Sequence, residues 1–294
     1  MRPSATALLA GVLAICAEGC GSAAQHAARP VPGEELLAEL ADAPQSDSQR
    51  GKKLIVLFKQ AGLRDIRKQP IAGYDGRYNV IATLPGESLD TIVVGAHYDF
   101  SLPGQGVIDN WGGATMLANL AQALSAKPRR NTFVFVGFDL EEWGMLGSRH
   151  YVAHLAPQQR QRIRAMVDMD CLGVSCLKIW LTGSARDLVA IGTEVARQES
   201  IKVQTRELHG VGADSDSFMR AGIPAIMFDS LEIEDFSLVQ CERDQYEAVR
   251  PTSFVEHHRY LLAFLEALDA HQGNISPTRT PSTGPAPKPA QRYG

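Results

Sequence analysis

The feature that most constrains this 294-residue chain is an alternation. Short, apolar, β-branched runs are separated by stretches of helical periodicity, and several of the runs end in histidine or a carboxylate. The runs are Tyr78 to Leu84, Thr91 to His97, Thr132 to Asp139, Ala165 to Asp170, Lys178 to Thr182 and Ala225 to Phe228. Between and after them, Ala114 to Leu124, Gly144 to Leu155, Ala185 to Gln198 and Pro251 to Leu268 carry apolar residues at three-to-four spacing. Glu34 to Gly62 reads as one or two amphipathic helices around a polar break at Pro44 to Ser48. The expectation is an α/β fold in one domain: a mostly parallel mixed sheet with helices on both faces. In such sheets ligands bind at the carboxyl ends of the strands, so polar residues there are the ones to examine.

The two ends differ from the middle. Residues 1–24 read as a secretory or lipoprotein leader, because the apolar run Ala5 to Ala17 is too short to span a bilayer comfortably and is followed closely by cysteine. Cys16 and Cys20 leave open a lipidated N-terminal cysteine and membrane attachment; without lipidation the chain is expected in the periplasm or outside the cell. Residues 273–294 hold five prolines, three bases and no acid, which predicts a disordered tail. Removing both ends from a formal net charge of −4 leaves about −7 on residues 25–272, which argues against a nucleic-acid-binding surface. Cys171, Cys176 and Cys241 are too few for a disulfide framework, although export would permit one pair, with Cys171 and Cys241 the natural partners.

His97 and Asp99 lie two residues apart at the end of one run, so they share a face, and Asp99 can orient the imidazole ring. Asp109 precedes a helical segment of small and apolar residues; helix capping is its ordinary use, and bridging two cations its chemical one. Glu141 and Glu142 follow another strand end and must point in different directions. A helix N-terminus would favour both acids, but one can bind metal while the other moves protons. Asp168 and Asp170 share a face, and period two alone does not choose between them. Any one of these residues has an ordinary structural explanation. Together they form a mixed N/O set suited to zinc and to a two-metal hydrolytic site.

The motifs Asn79-Val-Ile-Ala-Thr-Leu-Pro-Gly86, Gly95-Ala-His-Tyr-Asp99, Asp109-Asn110, Phe138-Asp-Leu-Glu-Glu-Trp-Gly144 with Leu146-Gly-Ser148, and Ala221-Gly-Ile-Pro-Ala225 carry a resemblance. Over roughly residues 78 to 270 the chain resembles the co-catalytic zinc exopeptidases, which include bacterial leucyl aminopeptidase, aminopeptidase Y and the glutamate carboxypeptidases. The resemblance implies that Asp109 bridges two zinc ions, that His97 and Asp170 complete one position, and that Glu142 serves the other. It also makes Glu141 the general base and Asp99 the partner of His97. The implied reaction is hydrolysis of a peptide or aminoacyl substrate at its N-terminal bond, with Glu141 carrying the proton from water to the leaving amine.

The pattern breaks at one ligand. Where the family has a late histidine four residues before an aspartate, this chain has Gln240 before Asp244. An amide oxygen is a weaker zinc ligand than imidazole nitrogen, so the second ion is in question, with Gln240, Cys241 or His209 as its remaining ligand. Ala213-Asp214-Ser215 likewise replaces the family's Ser-Asp-His. Three readings follow: a zinc aminopeptidase, a catalytically impaired relative that binds peptide or a partner, and a glutaminyl cyclase. The last is disfavoured because its single zinc uses the late histidine. His257 and His258 belong to the terminal helix pattern and read as structural.

Overall fold

The computed structural model describes residues 30–279. The leader with Cys16 and Cys20, and the end of the tail from residue 280, lie outside the described residues. The paired strands are β1 (Asp65–Pro70), β2 (Tyr78–Leu84), β3 (Thr91–His97), β4 (Thr132–Phe138), β5 (Ile163–Met169), β6 (Leu177–Trp180), β7 (Val203–Arg206) and β8 (Ala225–Asp229). They form one sheet in the order β1-β2-β4-β3-β5-β8-β6-β7. The pairs β3–β4, β3–β5, β5–β8 and β6–β7 are parallel; β1–β2, β2–β4 and β6–β8 are antiparallel. Strands β3, β5 and β8 are buried along almost their whole length, as continuous apolar runs covered on both faces require.

The helices are α1 (Gly33–Ala41), α2 (Asp47–Gln60), α3 (Gly112–Ser125), α4 (Leu146–Ala153), α5 (Pro157–Arg162), α6 (Arg186–Glu199), α7 (Ser215–Arg220) and α8 (Pro251–Ala270). The polar break in the first helical segment separates α1 from α2, and Ser46 caps α2 by accepting the Gln49 N–H. On one face α3 packs against α2 and α8, and α8 against α6; on the other, α4 meets α7, and α7 meets β5 and β8. No described helix is long and apolar enough to cross a membrane.

Two strands and two helices have no clear signal in the sequence. Strands β1 and β7 are the sheet edges and are largely exposed, so they never acquire an apolar face. Helices α5 and α7 have six residues each, too few to display a period. Past Gln272 the described chain continues to Arg279. Ile275 is buried, the Ser276 N–H donates to Asp187 at 2.9 Å, and Arg279 bridges Ala185. This stretch, expected to belong to the tail, docks at the start of α6 because it has one apolar residue to bury and backbone groups to pair.

Candidate functional site

Strands β3, β4 and β5 are parallel and in register, so His97, the Glu141–Glu142 turn and Asp170 emerge together at one end of the sheet. The fourth contributor, Asp109, comes from a buried turn, Val107–Trp111, that leads into α3. Three contacts hold it there. Asp244 accepts the N–H groups of Ile108 at 2.6 Å and Asp109 at 3.1 Å, and Asn110 donates to the Met169 carbonyl at 2.8 Å, tying the turn to the residue before Asp170. Asn110 also accepts the Gly113 N–H at 2.9 Å. A Cβ on Gly113 would lie 2.6 Å from the Met169 carbonyl oxygen, so the approach of α3 to β5 needs glycine.

One oxygen each from Asp109 and Asp170 lies 3.2 and 3.3 Å from His97 Nε2. The ligand atoms of His97, Asp109 and Asp170 all fall within 4.8 Å of one another. Burial opposes a charge on His97, but Asp170, Asp109 and Asp99 outweigh it and hold the imidazole well above its ordinary pKa. A buried imidazole facing this many carboxylates is a place where positive charge is required, and one nitrogen with two carboxylate oxygens is a zinc-type donor set. Asp168, on the same strand face as Asp170, instead accepts the Ser215 N–H at 2.6 Å.

Asp99 serves two neighbours. Its carboxylate is 3.5 Å from His97 Nδ1, long for a hydrogen bond, whereas its main-chain carbonyl is 3.1 Å from the same nitrogen. The carboxylate accepts the N–H groups of Glu141 at 3.0 Å and Glu142 at 3.2 Å. Burial, with Asp214, Asp170 and Asp109 nearby, drives Glu141 well above the usual carboxylate range, and burial with Asp109 lifts Glu142 to about 7. Asp214, buried beside this group, is raised to about 7 by its burial.

Glu142 does not join the three convergent ligands. Its Oε2 accepts the Gln240 amide at 2.9 Å, and Ser101 is the carboxylate's other polar side-chain neighbour. The other two residues considered for this position point elsewhere. The Cys241 thiol is directed at the Ser237 and Leu238 carbonyls, both at 3.2 Å, and His209 faces Glu207. The three described cysteines are free: the Cys171 thiol donates to Asp170 and not to a disulfide with Cys241. Leu140, Cys171 and Gln240 all have positive φ, near 61°, 55° and 55°, and each adjoins or belongs to the site. Such backbone outliers concentrate where function holds a side chain in place.

The model of peptidase family M28 matches residues 79–265. The chain belongs to this family. Among relatives, an aminopeptidase of Pseudomonas aeruginosa is 36% identical over 97 residues, covering 33% of this chain and 18% of that protein. The chain thus spans about a fifth of the length of that curated relative. Among solved structures, a zinc aminopeptidase from Bacillus subtilis superposes with a TM-score of 0.61 at 23% identity, covering 69% of this chain and 53% of that one. A glutaminyl cyclase from Porphyromonas gingivalis superposes with a TM-score of 0.68 at 16% identity, covering 81% and 98%. The M28 fold therefore carries more than one chemistry, and the choice between them rests on the site.

Two residues of this M28 site gain their importance only from the folded chain. Asp244 was visible as the aspartate after Gln240, but its grip on the Asp109 turn spans more than a hundred residues. Arg50 is fully buried, donates to the Pro44, Tyr98 and Gln105 carbonyls, and lies over the Phe100 ring at 4.1 Å. It braces the segment after Asp99, and nothing in α2 distinguishes it from the exposed bases nearby.

Proposed function

We propose that this chain is an exported zinc-dependent exopeptidase, most simply an aminopeptidase that hydrolyses the N-terminal bond of peptide or aminoacyl substrates. The observation that carries the reading is the convergence of His97, Asp109 and Asp170 beside Glu141. The P. aeruginosa and B. subtilis aminopeptidases support the same chemistry. Export, and lipid attachment through Cys16 or Cys20, rest on the leader composition.

His97, Asp109 and Asp170 would hold the zinc, with Glu142 and Gln240 beside them. Zinc in such a site polarises a carbonyl and lowers the pKa of water towards about 7. Glu141, kept protonatable by its burial and acidic neighbours, takes the proton from the attacking water and returns it to the leaving amine. Asp99 fixes the turn from which Glu141 projects. Asp214, buried beside Glu141, adds a further carboxylate to these acidic surroundings.

The test is Glu141→Gln assayed on a panel of aminoacyl 4-nitroanilides. Turnover should fall by at least about 100-fold while zinc content is unchanged. A Glu141→Gln protein as active as wild type would refute the assignment. Wild-type protein that binds zinc and peptides yet cleaves none of them would favour the impaired, peptide-binding relative.

A further inference from the structure

Asp139 is buried just past the end of β4, at the start of the turn that carries Glu141 and Glu142, and the reaction described above gives it no part. Arg77, the residue before β2, grips its carboxylate with a fork: Nε donates to one oxygen at 2.9 Å and Nη2 to the other at 2.5 Å. The same carboxylate accepts the N–H groups of Tyr78 at 3.2 Å and Leu140 at 3.0 Å. Leu140 has a positive φ of 61°, a conformation that a residue with a Cβ adopts only at a cost, so Asp139 holds the strained step that leads into the glutamates. The third arm of Arg77, Nη1, is 2.7 Å from Asp47 in the first turn of α2. The other oxygen of Asp47 accepts the N–H of Phe100, the residue after Asp99, at 3.3 Å.

We propose that Arg77 is a positioning residue for Glu141. Its guanidinium ties the turn that carries the general base, through Asp139, to the segment that follows Asp99, through Asp47, and so fixes where the Glu141 carboxylate stands against the zinc position. This rests on the metallopeptidase reading above and deepens it.

A guanidinium is planar and always charged, and its N–H groups point in fixed directions, so one Arg77 holds two carboxylates at a set separation. A lysine ammonium is a point charge on a flexible stem and cannot keep both. Without the fork, Asp139 becomes a buried charge facing only neutral donors, and it must shift or take up a proton. Either response loosens its hold on the Leu140 N–H and leaves the turn gripped by Asp99 alone. The metal ligands are set elsewhere: His97 by β3, Asp109 by the turn before α3 and Asp170 by the end of β5. Loss of the fork therefore moves the base and spares the metal.

The test compares the zinc-loaded full chain with its Arg77→Lys and Arg77→Ala variants on an aminoacyl 4-nitroanilide. In both, kcat should fall about 10- to 100-fold, while KM and the zinc affinity from chelator competition change by less than about threefold. Chemical rescue separates positioning from a contribution to folding alone. The Arg77 side chain is 26% exposed, so methylguanidinium can enter the space it leaves; it should raise kcat of Arg77→Ala several-fold and leave wild type unmoved. Should Arg77→Ala not fold, Asp47→Ala cuts only the link to Phe100 and should lower kcat several-fold at unchanged zinc affinity. The inference is overturned if Arg77→Lys keeps wild-type kcat, if kcat and zinc affinity fall together, or if methylguanidinium fails to restore a folded Arg77→Ala protein. Wild-type protein without turnover would refute the metallopeptidase reading and this inference with it; an active wild type indifferent to Arg77 refutes only the inference.

Discussion

Replacing Asp99 by Asn separates its two roles. The wild-type carboxylate accepts the Glu141 and Glu142 N–H groups at 3.0 and 3.2 Å, while His97 Nδ1 is satisfied by the Asp99 main-chain carbonyl at 3.1 Å. An asparagine can accept only one of those N–H groups and must turn its own NH2 towards the other. Losing one buried bond costs about 1–3 kcal/mol, and converting the other from a charged to a neutral acceptor about 1 kcal/mol more. If the resulting displacement of Glu141 appears wholly in the transition state, a loss of about 2–4 kcal/mol lowers kcat by about 30- to 1,000-fold. Zinc affinity should change by less than about threefold, because the main-chain carbonyl still fixes the ring that binds the metal. The assay is kcat on an aminoacyl 4-nitroanilide at saturating zinc, paired with zinc affinity from chelator competition. A tenfold or larger loss of zinc affinity with kcat intact would refute the reasoning and return the carboxylate to the role of ring orienter.

Asp244→Ala leaves the buried Ile108 and Asp109 N–H groups without their acceptor; it should destabilise the fold by about 1–3 kcal/mol and weaken zinc binding about 10- to 100-fold, measured by calorimetry and chelator competition. Gly113→Ala should lower stability and zinc affinity together, since its Cβ would press on the Met169 carbonyl next to Asp170; a melting temperature equal to wild type would count against that contact. Burial lowers His257 and His258 from 6.5 to about 4, so both stay neutral in the folded chain, while in the unfolded chain they take up protons below about 6.5. Their contribution is therefore present above pH 6.5 and is lost as pH falls towards 4, by about 3 kcal/mol each at 1.36 kcal/mol per pH unit. Urea denaturation of a His257→Gln, His258→Gln protein should show a flatter fall across that window than wild type.

The parts of the fold legible in the sequence are those with something to bury. β2 and β3 coincide with their apolar runs, and α3, α6 and α8 with their periodic segments to within a residue or two, because central elements must be apolar along a face. Edge strands β1 and β7 carry Arg67, Lys68, Gln204 and Arg206 and look like loop. In the site, His97, Asp109, Glu141 and Glu142 were visible because each follows an apolar run or precedes a helix, whereas only the family resemblance separated Asp170 from Asp168. Their partners were not visible. That the Asp99 carboxylate grips the Glu141–Glu142 turn, that Asp244 grips the Asp109 turn, and that Gln240 meets Glu142 are contacts made across the sheet, and no local pattern encodes them.

The stretch from Gly273 to Arg279 has a mechanical consequence. Arg279 donates to the Thr182 carbonyl at 2.9 Å and to Asp216 at 2.8 Å, and Asp216 lies in the first turn of α7, next to Ser215, whose N–H holds Asp168. The last described residues are thus tethered to the helix whose first residue holds Asp168. Cleavage by a protease after Gln272 would release that tether although it removes no residue of the site.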